Sequence, residues 1–89
     1  MVFEWDPAKH NRNLRSRGIG FDEAAMIFDG ETVVWPDPRT DYGEARCNAL
    51  GMVDGKVLRV VFTMRADVVR IISAWKANRK DRQRWLDRA

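Results

Sequence analysis

Ala45-Arg46-Cys47-Asn48-Ala49-Leu50-Gly51-Met52-Val53-Asp54-Gly55-Lys56-Val57-Leu58-Arg59-Val60-Val61-Phe62-Thr63-Met64 reads as two extended arms around one turn. Asp54-Gly55 is the hairpin signal, because both residue types tolerate the positive φ that a tight two-residue turn demands. With those two as the loop, Val53 faces Lys56, and side chains alternate between the two faces of the pair. One face then carries Ala45, Cys47, Ala49, Gly51 and Val53 with Met64, Phe62, Val60 and Leu58. It is apolar and should meet helices. The other carries Glu44, Arg46 and Asn48 with Arg65, Thr63 and Arg59, beside Leu50, Val57 and Val61. Glu44 falls opposite Arg65, and Arg46 opposite Thr63.

The elements before this hairpin read clearly. Val2–Trp5 predicts a short strand. Asp6 suits a helix N-cap and Pro7 the first helical position, where no N–H is needed. That helix should run to about Arg17, with Gly18 as its left-handed stop and Ile19 packing back on Leu14. Phe21, Ala24, Ala25 and Phe28 make one apolar stripe at helical spacing, with Asp22 and Glu23 in the first turn and Gly30 at the end. Thr32–Trp35 predicts a strand stopped by Pro36, and 37–43 a polar loop containing Pro38.

After the hairpin, Val69–Trp75 predicts a further strand and the stretch from about Arg79 a last helix, docked by Trp85 and Leu86. If the connection into Val69–Trp75 turns about Ala66-Asp67, Arg70 lands beside Thr63 on the polar face. One more loop residue would flip the strand, and the adjacent Ile71 and Ile72 leave alternation unable to decide. The order β-α-α-β-β-β-β-α does not interleave helices and strands. It predicts an α+β fold with an antiparallel sheet, two N-terminal helices packed on one face and a C-terminal helix.

Eighty-nine residues and an apolar fraction of 45% fit one domain spanning 1–89. A single cysteine, Cys47, excludes an internal disulfide framework and any multi-cysteine metal site. No apolar run reaches the roughly 18 residues that span a bilayer, and Glu4 and Asp6 stand where a secretory leader would be basic. The expectation is a cytoplasmic protein with no membrane contact. Residues 76–89 hold six Lys/Arg against two Asp, whereas the preceding 75 hold ten against eleven acidic residues. Lys76, Arg79, Lys80 and Arg82 are therefore candidate polyanion contacts. A solvated, charge-rich final helix is the competing reading, and a nucleic-acid-binding module with no catalytic role would carry the same tail.

Arg46, Arg65 and Arg70 make a guanidinium cluster suited to phosphate, since arginine stays charged and donates in a planar fork. The competing reading is a cross-strand Glu–Arg pair on a solvated face. Lys9 lies in the first turn of helix one, where the macrodipole disfavours a cation. His10, the single histidine, is either an acid–base group or an ordinary helix residue. Cys47 falls on the core face, and Trp5 reads as a core or staple residue rather than a base-stacking platform. No metal-ligand spacing, glycine-rich phosphate loop or Ser/His/Asp set is evident.

Several pieces, in order and over nearly the whole chain, resemble the BrnT family of type II toxins, small ribonucleases with a RelE-like fold. They are Phe3-Glu4-Trp5-Asp6 with Lys9 and Asn13; Gly18 with Phe21, Glu23, Ala24 and Phe28; Asp41-Tyr42-Gly43-Glu44-Ala45-Arg46; Thr63-Met64-Arg65; and Arg70 to Ala74 with Arg79, Lys80 and Arg82. Two positions depart from the family pattern. Arg17 stands where members commonly have histidine, and Trp75 where they commonly have arginine.

The resemblance implies an RNA endonuclease that inhibits translation and needs no cofactor, because RNA supplies its own 2′-OH nucleophile. Arg46 and Arg65 would stabilise the phosphoryl charge, and Lys9 or Glu44 would be the base. Arg70 and the basic tail would bind RNA. It also implies a BrnA-like ribbon-helix-helix antitoxin, through which alone operator DNA would be contacted. Trp75 carries no cation, so the alternative reading is a catalytically weakened homologue acting as an antitoxin-binding co-repressor.

Overall fold

The computed structural model describes residues 1–38 and 43–88. The elements are β1 (Val2–Glu4), α1 (Pro7–Arg17), α2 (Phe21–Ala25) running into a 3-10 turn (Met26–Asp29), β2 (Thr32–Pro36), β3 (Cys47–Val53), β4 (Lys56–Arg65), β5 (Val68–Lys76) and α3 (Arg79–Leu86). The strands form one mixed sheet in the order β1-β5-β4-β3-β2. Neighbours are antiparallel except β1, which pairs parallel to β5 with Glu4 beside Arg70. The fold is α+β, as the order of elements predicts. Residues 39–42 of the polar loop, Asp41 and Tyr42 among them, lie outside the described residues.

The helix ends follow local chemistry. Asp6 Oδ1 accepts the Ala8 N–H at 2.9 Å, Pro7 opens α1, and Gly18 closes it at φ 73° with its N–H on the Leu14 carbonyl. Ile19 is 3% exposed within the core, whereas Leu14 is 48% exposed. Gly20 offers no capping side chain to α2. His10 does that work: its Nδ1 accepts the Phe21 N–H at 2.9 Å, and its ring stacks on Trp5.

The β3–β4 register holds from Val53↔Lys56 to Cys47↔Phe62 as the turn predicts, and Asp54 and Gly55 both have positive φ. The ladder stops at Cys47 rather than Ala45. There the Thr63 hydroxyl donates to the Ala45 carbonyl at 2.6 Å, and the Asp37 N–H donates to the Arg46 carbonyl at 2.8 Å. The β4–β5 turn is Ala66-Asp67, with Arg65 opposite Val68 and Arg70 opposite Thr63.

A bulge then intervenes. Phe62 pairs with Ile71 but Val61 pairs with Ser73, so Ile72 has no partner in the ladder. The extra residue reverses the alternation. Val69, Ile71 and Ala74 all reach the core, and Arg70, Ser73 and Trp75 pair with Thr63, Val61 and Arg59 of the opposite face.

Each face of the sheet has its own apolar cluster. On one, Phe21, Ala24 and Ile27 pack on Ala49, Leu58, Val60, Phe62 and Ile71. Gly51 permits this close approach, because a Cβ there would lie 2.5 Å from the Ile27 Cβ. On the other face, Trp85 and Ala77 cover Leu50, flanked by Val33, Trp35 and Val57. Trp85 docks α3, but Leu86 does not: it is 71% exposed. Ala45 and Met64, expected on the core face, are also exposed, because α1 and α2 do not extend over that end of the hairpin.

Asn13 ties α1 to the sheet. Its Nδ2 donates to the Ile19 and Ala74 carbonyls, both at 2.8 Å, from a buried position. Asn13→Ala leaves the buried Ile19 carbonyl unsatisfied, worth about 1–3 kcal/mol, and leaves the Ala74 carbonyl with Arg17 Nη1 at 3.3 Å as its side-chain donor. The expected loss of unfolding free energy is about 1–3 kcal/mol by urea titration. A loss below about 0.5 kcal/mol would mean that water replaces the amide.

Candidate functional site

The face opposite α1 and α2 is covered by α3 at one end and open at the other. Strand pairing brings Glu4, Arg70 and Thr63 side by side across β1, β5 and β4. Arg65 lies one step further along β4. Its Nη2 is 3.5 Å from Glu44 Oε2 and its Nη1 4.0 Å from Glu4 Oε1. Arg70 Nη1 is 3.5 Å from the same Glu4 oxygen.

The expected Glu44–Arg65 juxtaposition is therefore present, although Glu44 reaches it from beyond the end of β3. Arg46 precedes β3 and is half-buried. This brings Glu44, Arg65 and Arg70 to one end of the face. Two guanidiniums meet two carboxylates there, so much of their charge is balanced within the cluster.

Toward α3 the face changes character. Arg59 donates from Nε (3.2 Å) and Nη2 (3.0 Å) to Asn48 Oδ1, and from Nη1 to Asp81 Oδ1 at 3.2 Å. Its guanidinium also lies 5.2 Å from the Trp75 ring centre and 5.4 Å from that of Trp35. Arg17 lies over Trp75 at 5.0 Å and Arg84 over Trp35 at 4.0 Å. The contacts run Arg17, Trp75, Arg59, Trp35, Arg84 across the sheet. Each is worth about 0.5–1 kcal/mol at such exposure, which is enough to orient a long cation.

Arg17 and Trp75, the two departures from the family pattern, thus touch each other. A guanidinium stands over Trp75, supplied by α1.

The remaining candidates do not gather at this cluster. Lys9 is exposed and lines a groove beside β5 with Arg12, Arg15 and Arg17. None of Glu44, Arg46 and Arg65 lines it. Lys76 and Arg82 border a depression with Lys56, and Arg82 Nη1 donates to the Ala77 carbonyl at 3.0 Å. Lys80 borders a different one, with Trp35, Arg59 and Arg84. Arg79 is exposed at the start of α3. The basic tail is therefore divided around α3 rather than forming one patch.

Of the other single residues, His10 is a capping group and Cys47 is half-buried against the core. Sequence reasoning placed Arg59 on this face but missed its role at the centre of the aromatic–guanidinium chain. Trp35 and Asp81 come from β2 and α3, and no local signal ties either to Arg59.

Among the described residues no three His, Cys, Asp or Glu side chains converge as a metal set, and no helix is long and apolar enough to cross a membrane.

These features define a small basic α+β protein whose open sheet face carries paired guanidinium and carboxylate groups at one end. The model of the family described as ribonuclease toxin, BrnT, of type II toxin-antitoxin system matches residues 5–81, and the chain belongs to that family. The family is one of ribonuclease toxins, which implies an RNA substrate and a protein antitoxin. The match spans Glu44, Arg46, Arg65 and Arg70, together with both departures. No curated protein matches the chain.

Proposed function

We propose that the chain is a metal-independent endoribonuclease toxin that cleaves cellular RNA, inhibits translation and acts in the cytoplasm. The observation that carries this reading is the Glu44–Arg65 pair beside Arg70 and Thr63 on the open sheet face, in a chain of the BrnT family. The 2′-OH attacks the adjacent phosphorus, and the bond from phosphorus to the 5′-oxygen breaks. The products are a 2′,3′-cyclic phosphate and a 5′-hydroxyl. Glu44 takes the 2′-OH proton, and water supplies one to the leaving oxygen. Arg65 and Arg46 stabilise the charge that builds on the phosphoryl oxygens. Glu44 is favoured over Lys9 as the base because of its position beside Arg65. Arg70 holds the neighbouring phosphate, and Lys76, Arg79, Lys80 and Arg82 make weaker, distributed contacts with RNA.

The partner in this reading is a BrnA-like ribbon-helix-helix antitoxin, and operator DNA is contacted only through the complex. Arg17 over Trp75 supports an active chain, since it provides a cation at the place where the family arginine is missing.

The test is inducible expression in bacteria of this chain and of Trp75→Arg, scoring growth and RNA integrity. The purified chain is then assayed for cleavage in excess chelator. The expected result is growth arrest and RNA cleavage by the chain as it stands, leaving cyclic phosphate ends and reversed by the antitoxin. Toxicity of Trp75→Arg alone would replace this reading with the antitoxin-binding co-repressor. Toxicity of neither would remove it.

A further inference from the structure

The sheet-face cluster has little spare positive charge with which to attract a polyanion. Arg59 is paired with Asp81, Arg65 with Glu44 and Glu4, and Arg70 with Glu4. The opposite situation holds beside α1. A groove of about 520 Å³ runs between α1 and β5, with the bulged Ile72 and Ser73 on its β5 side. Lys9, Arg12, Arg15 and Arg17 line it, and no carboxylate does. All four cations are exposed. Among the described residues none of them has an ion-pair partner.

Arg17 is held by neutral groups alone. Its Nη1 donates to Ser73 Oγ at 3.0 Å and to the Ala74 carbonyl at 3.3 Å, and the guanidinium lies over Trp75. Its charge is therefore oriented without being cancelled.

We infer that this α1–β5 groove is a binding track for the phosphodiester backbone of single-stranded RNA, distinct from the Arg46–Arg65 centre. The inference rests on the ribonuclease reading. Affinity for a polyanion comes from cations whose counterions are released on binding, and such cations are concentrated here. Ser73 on the groove is three residues along β5 from Arg70 at the centre, roughly 10 Å. One strand can thus run from groove to centre. A protein partner fits less well, because docking needs a desolvated apolar or aromatic anchor. Only Phe21 and Ile72 are apolar here.

The experiment uses the full chain and an Arg12→Gln, Arg15→Gln variant. Neither residue belongs to the proposed centre. Binding of a 2′-O-methyl oligoribonucleotide, which cannot be cleaved, is followed by fluorescence anisotropy across a salt series. Two lost phosphate contacts should reduce the slope of log affinity against log salt by about 1.4, with roughly tenfold weaker binding at low salt. Cleavage of a dinucleotide, too short to occupy the groove, should be unchanged. Arg12→Lys, Arg15→Lys should keep the parental slope, which separates charge from folding.

An unchanged slope in the glutamine variant overturns the inference. If the same variant instead loses its antitoxin, the groove is a protein-docking site. Salt-dependent binding by a parent chain that cleaves no RNA defeats the ribonuclease reading, while the groove still stands or falls on the slope.

Discussion

The Arg46→Ala, Arg65→Ala chain is expected to cleave RNA at least about 10³-fold more slowly than the parent. Removing one preorganised donor to a developing oxyanion commonly costs about 10²–10³ in rate, and two such groups acting on one phosphoryl unit cost less than the product of their single effects. The effect of Arg65 on stability should be small. Its side chain is 54% exposed and its ion pairs span 3.5 and 4.0 Å, a geometry worth about 0–1 kcal/mol. Single-turnover cleavage, with a thermal melt of the same sample, separates the two effects. The salt dependence of binding should persist, because the groove beside α1 is untouched. Cleavage within about threefold of the parent would remove these two arginines from the mechanism.

Asp81→Ala is expected to reduce the unfolding free energy by about 3–5 kcal/mol. Asp81 is 4% exposed and serves two structures at once. Its Oδ1 takes Arg59 Nη1 at 3.2 Å. Its Oδ2 accepts the Asn78 N–H at 3.3 Å, while its own N–H donates to Asn78 Oδ1 at 2.8 Å. This reciprocal box starts α3.

Alanine removes the carboxylate and leaves a mostly buried guanidinium facing only Asn48 and two indole rings. It also frees the first turn of the helix that holds Trp85 on Leu50. For a chain of this size the melting temperature should fall by at least roughly 12 °C. Adding Arg59→Met should recover part of the loss, since the cost is that of an unpaired charge rather than of a missing attraction. A loss below about 1 kcal/mol for Asp81→Ala would show that solvent hydrates Arg59 readily.

The candidate centre was legible wherever neighbouring residues share a turn. Asp54-Gly55 sets the β3–β4 register as far as Cys47↔Phe62, and Glu44, from beyond the end of β3, meets Arg65 at 3.5 Å. The two-residue turn at Ala66-Asp67 adds Arg70 beside Thr63. Lys9 illustrates the limit. Its resemblance to a family position carries no information about which face of α1 meets which edge of β5, and it lines the groove rather than the cluster. The tail meets the same limit. Its charges are consecutive in sequence, yet a helix distributes them around its circumference, and Arg88 is drawn off to Glu31 at 2.9 Å.

The sequence by itself determined the order of elements, the caps of α1, the β3–β4 register and the polar face of that hairpin. Each depends on contacts or turns within about twenty residues. Only the tertiary structure decided where β1 pairs, that α3 covers the face opposite α1 and α2, and that β5 bulges at Ile72. Ile71 and Ile72 are both apolar, so no local pattern chooses which of them turns inward. The choice is made by the core, which takes Ile71 and Ala74 together only if one residue between them leaves the ladder. That displaced residue brings Ser73 and Trp75 to Arg17, and so joins the basic groove of α1 to the open face of the sheet.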